Sequence, residues 1–287
     1  MNKKYIAPIR IDIPDLKKSI SIGKIKLRKI TEKEKNKYFN TKKIEYTENG
    51  DVSNVTYIAP QKIDFIHLHS QLQDYKLLSC QHIVEYIDKD VLIEELKVLL
   101  LALRLYQEGN VFAPLVFHPN GNYLNYIYPT FTTETKKYTI NIKNFRRIKK
   151  IHSQIKQKKN LAIFFERFNN ALSRNTNEIN SFIDFVTILE SLFLNSSSVQ
   201  EISFRFSLYT SFILKNKLKE PVTFKEMKNI YDVRSQLVHN GKSKKYSKEL
   251  HSKTKNYTRI LLLWALGNDN FQENMVLNHL AIGDGSK

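Results

Sequence analysis

Apolar and polar residues alternate over Ile6 to Ile13 and again over Ile20 to Ile30, the period-two pattern of half-buried strands. Gly23 interrupts the second run, which predicts a bulge or bend there. Glu45 to Tyr57 reads as paired strands around an Asn49-Gly50 hairpin turn, and Ile63 to Leu68 as another short strand. Asp90 to Gln107 repeats its apolar positions at helical spacing and meets Gly109 as a stop signal, so a helix is predicted. Phe112 to Phe117, Tyr123 to Tyr128 and Lys137 to Ile142 are predicted as further strands, with Asn120-Gly121 as a turn. Residues 1–145 therefore predict an α+β domain.

The pattern changes near residue 145. Glycine and proline become rare and helical periods take over. Helices are expected near 145–158, 160–173, 178–194, 199–216, 223–240, 247–267 and 270–281. The fifth opens with a capping box, in which Thr223 caps free amides and Glu226 returns the bond. Asn240-Gly241 gives it a C-terminal stop. Residues 146–287 are thus expected to form an all-α helical bundle of ordinary domain size.

The chain has 287 residues, 41% hydrophobic and 26% charged, which is a globular composition. The single cysteine, Cys80, excludes an intramolecular disulfide and a Cys-rich zinc module, and it fits a reducing compartment. The longest apolar stretch, Val98 to Leu103, falls far short of a membrane span of about 20 residues. The N-terminal Met-Asn-Lys-Lys-Tyr-Ile-Ala-Pro has the charges of a signal peptide without its apolar region. The expectation is a cytoplasmic protein with no membrane partner.

A net charge of +18 points to a polyanionic partner. The chain is also crowded with Lys, Asn, Ile and Tyr, the bias of an AT-rich genome, so local clustering is the better guide. Thr135 to Phe165 contains no acid but holds Lys143, Arg146, Arg147, Lys149 and Lys150 among its bases. Lys242, Lys244, Lys245, Lys248, Lys253 and Lys255 form a second cluster with one acid, Glu249. Each is a candidate nucleic-acid surface or a solvated face.

Several motifs carry no chemistry. Gly241-Lys242-Ser243 resembles the end of a phosphate-binding loop, but Gln236 stands where its upstream glycine belongs and a helix precedes it. His67 and His69 share one side of a predicted strand and could ligate a metal, yet no third ligand accompanies them. No cofactor or metal is expected.

Arg234 and His239 are different. Arginine offers a rigid, permanently charged fork for phosphate oxygens, and histidine moves protons near neutrality. RNA supplies its own nucleophile, the 2′-hydroxyl, so cleavage needs only a base, an acid and charge stabilisation. Five residues turn a helix by about 140°, so the two side chains are not stacked neighbours. They converge only if the helix ends at His239 and Arg234 reaches along the surface. One chain also supplies one such histidine, and a two-fold dimer would bring in a second. The alternative is an arginine binding a helix terminus and a histidine in a C-cap.

Residues 230–241, Ile-Tyr-Asp-Val-Arg-Ser-Gln-Leu-Val-His-Asn-Gly, resemble the R-x4-6-H segment of HEPN domains, above all the Apea-like branch. Phe185 to Leu194 resembles that branch's helix with a Leu-Glu-x-Leu signature, and Glu201 to Leu208 its following segment. The resemblance covers roughly residues 160–265. It implies a metal-independent endoribonuclease that works as a homodimer through the helical domain. In that reading Arg234 binds and stabilises the scissile phosphate, His239 is the acid/base, and Glu190 orients Arg234 by a bidentate contact. Arg205 matches a recurrent arginine. Ser235 departs from the Asn, Asp or His that many HEPN enzymes carry after the motif arginine.

The resemblance further implies an effector in phage defence or a toxin system, answering a phage trigger or regulatory partner. Lys242, Lys244, Lys245 and Arg146, Arg147, Lys149, Lys150 would guide RNA by its backbone. Glu95 to Asn110 also resembles regions that precede such domains, without a role assigned. Two other readings stand beside this one. One is a non-catalytic module binding nucleic acid or a protein. The other is a HEPN protein regulated by a nucleotidyltransferase, with Tyr231 as the modified residue.

Overall fold

The alternating runs at the N-terminus build a sheet. A computed structural model of the chain describes residues 4–38, 41–44, 55–58, 80–119, 123–126, 136–173, 178–193 and 201–268. The expected strand at 63–68, the hairpin turn at Asn49-Gly50, the His67/His69 pair and the helix at 270–281 lie outside the described residues. The chain divides into two compact units, residues 1–153 and 154–287. The first is α+β and the second is helical among the described residues. The division falls inside a helix, not at the expected 145/146 seam.

Unit one contains β1 (Tyr5–Ile9), β2 (Ile20–Ile22), β3 (Ile25–Lys29), β4 (Thr41–Ile44), β5 (Val55–Ile58), β6 (His82–Tyr86), β7 (Leu115–Phe117) and β8 (Tyr123–Tyr126). Six of them form an antiparallel sheet in the order β2-β3-β6-β1-β7-β8, while β4 and β5 pair as a separate ribbon. Residues 20–30 are two strands, not one bent strand. Gly23-Lys24 closes a tight hairpin with Ile22 opposite Ile25, and Gly23 alone of the two takes a positive φ, 55°. Residues 137–142 form only isolated bridges, Thr139 to Asp12 and Lys137 to Asn110, instead of a full strand.

Helix α1 (Glu32–Tyr38) and helix α2 (Lys89–Tyr106) belong to this unit. The Thr31 hydroxyl and the Glu34 carboxylate cap α1 reciprocally, and Arg28 on β3 holds Glu34 and Glu85 together. That pairing keeps the Glu34 carboxyl down at about 2. Asp88 caps α2 by accepting from the Val91 amide at 2.9 Å. Helix α2 packs against β3 and β6, with Leu92, Leu96, Leu99 and Leu103 fully buried. Ile6, Ile83 and Phe117 cluster with Ile30 and with Tyr38 of α1.

Helix α3 (Phe145–Gln157) carries the chain across the division. It buries Phe145, Ile148, Ile151 and His152 at three- and four-residue spacing and exposes Arg146, Arg147, Lys149 and Lys150. In unit two follow α4 (Ala162–Ser173), α5 (Glu178–Phe193), α6 (Ile202–Phe212), α7 (Phe224–Asn240) and α8 (Lys248–Leu266). A π-turn, Ile213–Lys217, extends α6. Helix α5 touches all four others, because apolar residues nearly surround it: Phe182, Phe185, Val186, Ile188 and Leu189 are sealed. No described helix is long and apolar enough to cross a membrane.

Two histidines, His82 buried and His251 half-buried, give stability a pH dependence. The Nδ1–H of His82 donates to the Ile11 carbonyl at 2.9 Å, and burial lowers its pKa. His251 is lowered by burial and then by Lys255; its Nε2 lies 3.2 Å from the Ser181 hydroxyl. Both favour the neutral ring, so the unfolded chain binds more protons just below pH 6.5. Their stabilising contribution is complete above pH 6.5 and is lost as pH falls toward the depressed folded values. Urea unfolding at pH 7.5 and pH 5.5 should show the lower midpoint at pH 5.5, and His82→Gln should shrink that difference.

Candidate active site

The site is built on α7, and the sequence fixes both of its ends. Thr223 accepts from the Glu226 amide at 3.1 Å, starting the helix. The expected return bond is replaced: Glu226 accepts from the Tyr257 hydroxyl at 3.1 Å and meets Lys253 at 3.7 Å. Gly241 stops the helix at φ 68°, donating to the Leu237 carbonyl. Met227, Ile230, Val233 and Leu237 form the buried stripe. Arg234 flanks that stripe and His239 sits in the last turn.

Arg234 meets Glu190 of α5, with Nη2 and Oε2 3.4 Å apart and each side chain about one-fifth exposed. The contact is single, not the expected bidentate fork. Arg234 Nε and Glu190 Oε2 have no hydrogen-bond partner among the described residues. The guanidinium is thus oriented by a carboxylate while keeping donors uncommitted. Tyr231, one turn before Arg234, packs on Phe206 at 5.2 Å. Its hydroxyl pKa is raised, first by burial and then by the Glu190 anion, with Arg234 opposing. Tyr231 therefore remains a neutral donor at physiological pH.

His239 is exposed. Since α7 is continuous, His239 stands about 7.5 Å along and about 140° round from Arg234. One chain does not bring the two together. Downstream, the Ser243 hydroxyl donates to the side-chain Oε1 of Gln236 at 2.7 Å and accepts from the Lys245 amide at 3.3 Å. This clamp, which the sequence reading missed, folds the lysine-bearing loop back onto the last turns of α7. A serine two residues after a helix-stopping glycine was its only signal.

Lys242, Lys244 and Lys245 are exposed and make no ion pair among the described residues. Lys248 and Lys253 of the same cluster instead face Glu178, Glu226 and Glu249. Arg146, Arg147, Lys149 and Lys150 belong to unit one, where the Arg147 guanidinium lies 5.7 Å over the Tyr106 ring. Arg205 is half-buried on α6. Cys80 is buried, and burial pushes its thiol pKa up, so it is a poor nucleophile. No group of three or more metal-ligating side chains occurs among the described residues. Comparison of the chain with protein-family models, curated proteins and solved structures returns no match.

Proposed function

We propose that the helical unit is a metal-independent endoribonuclease of the HEPN type, working as a homodimer in phage defence or a toxin system. The observation that supports this best is Arg234, set against Glu190 with free donors, five residues ahead of an exposed His239. In the proposed reaction His239 takes the proton of the 2′-hydroxyl. The 2′-oxygen forms a bond to phosphorus and the bond to the 5′-oxygen breaks. A second His239, protonated and supplied by the partner copy, gives the leaving oxygen its proton. Arg234 stabilises the extra negative charge on the phosphoryl oxygens.

The products are a 2′,3′-cyclic phosphate and a 5′-hydroxyl. Purified wild type should therefore cleave RNA in EDTA at low salt and leave those ends. His239→Ala should lower the rate by about 10²- to 10⁴-fold, the usual worth of a positioned acid/base. Equal cleavage by both proteins would sink the assignment. The wide angle between Arg234 and His239 also fits a non-catalytic module, which predicts RNA or protein binding unchanged in His239→Ala and no cleavage by either form.

A further inference from the structure

Helices α6 and α7 leave two phenylalanine rings in solvent. Phe204 is 51% exposed and Phe224 36%. Their centroids lie 5.5 Å apart at 57°. The neighbouring Phe182, Phe185 and Phe206 are completely buried, so this unit has aromatic residues enough for its core without these two. The exposed pair contributes little to that core and forms a small apolar patch on the surface.

Its surroundings are cationic. Lys225 follows Phe224, and Lys228 lies one turn further along the same face of α7. Lys219 ends the turn leading into the helix, held at φ 59°. All three are exposed and lack ion pairs among the described residues. Between Lys215 and Tyr231 the chain carries five lysines and two glutamates. One of the two, Glu226, is turned to Tyr257 and Lys253. Apolar rings with lysines close by in the sequence suit a flat, apolar group attached to a polyanion.

We propose that Phe204 and Phe224 form a stacking platform for an unpaired base of single-stranded RNA, with Lys219, Lys225 and Lys228 meeting the flanking phosphates. This rests on the reading of RNA as the substrate. Base stacking on aromatic rings is tolerant of sequence because every base has a π-face, and a paired duplex does not present one. Phe224 precedes Arg234 by ten residues, about 15 Å along α7. An unpaired strand covers that distance in a few nucleotides. Arg234 is also about 80° round the helix from Phe224, so a strand held at the platform reaches it by following the helix surface.

The test uses the full chain carrying His239→Ala, so that binding is read without cleavage. The probe is a ten-nucleotide unstructured RNA with one 2-aminopurine, whose fluorescence is quenched on stacking. The parent should bind and quench it, and an RNA duplex should compete poorly. Phe204→Leu with Phe224→Leu should weaken binding about tenfold or more and abolish the quench. Phe204→Trp with Phe224→Trp should preserve both, because a larger ring still stacks.

A leucine pair that binds and quenches like the parent overturns the platform, as does a parent that binds no RNA. A leucine pair that changes only sedimentation behaviour also overturns it and assigns the patch to contact between copies of the chain. The ribonuclease reading is judged separately, by cleavage with His239 intact. Cleavage that is indifferent to the leucine pair removes the platform alone. Quenching without cleavage by wild type removes the ribonuclease and leaves the platform.

Discussion

Arg234→Ala is expected to lower RNA cleavage by about 10²- to 10³-fold while leaving the fold intact, the range seen when one donor to a developing negative charge is removed. Two features of the structure set this expectation. The guanidinium Nε has no partner among the described residues, so on the proposed ribonuclease reading the loss of Arg234 removes stabilisation of the transition state. Its one ionic contact is a single approach to Glu190 at 3.4 Å, with both side chains about one-fifth exposed, so its loss costs the fold about 1–3 kcal/mol, within what an ordinary domain tolerates. Arg234→Lys keeps the charge but loses the planar fork, and should remain at least tenfold impaired. Glu190→Gln should fall between wild type and Arg234→Ala, because it frees the guanidinium to wander without removing it. Single-turnover rates beside thermal unfolding midpoints separate these effects. Full activity in Arg234→Lys would mean that position 234 supplies only general positive charge.

The elements that the sequence announces are those whose reasons are local. Helix α7 is framed by Thr223 and Gly241, and α2 by its leucines and the stop after Tyr106, so the pattern finds both within a few residues. Strand β6 was missed. Flanked by β3 and β1, it buries His82 and Glu85 as well as Ile83 and Val84, so no alternation survives. Helix α1 was missed because seven residues with one large apolar side chain give no period. It is held by the Thr31–Glu34 cap and by Arg28 from another strand. The π-turn after α6 has no sequence signature at all. For the site, the side-chain types at 234 and 239 point to phosphate and proton chemistry. That Glu190 stands opposite Arg234 depends on how α5 packs against α7, which a linear pattern does not encode.

Gly23→Ala is expected to destabilise unit one by about 4 kcal/mol, a large share of the 5–15 kcal/mol that holds an ordinary domain together. A Cβ on residue 23 would fall 2.8 Å from His152 Cε1 and even closer to the Glu95 Oε2 atom. Glu95 on α2 and His152 on α3 face each other at 3.0 Å, both about 95% buried. They pack directly beneath the β2–β3 turn. The new methyl has to push the carboxylate away, and disrupting a buried carboxylate–imidazole pair costs about 3–5 kcal/mol. The positive φ of Gly23 adds about 1–2 kcal/mol against any residue with a Cβ. The two costs overlap, since relaxing the turn relieves part of both. A double-mutant cycle distinguishes them. In a Glu95→Ala background the nearer of the two obstacles is gone and His152 gains room to move aside, so Gly23→Ala should cost less, mostly the backbone share. A coupling above about 1 kcal/mol, measured by urea unfolding of all four proteins, is the expected result for side chains in contact. Additive costs would mean that the turn's conformation alone demands glycine and that the buried pair is indifferent to what lies above it.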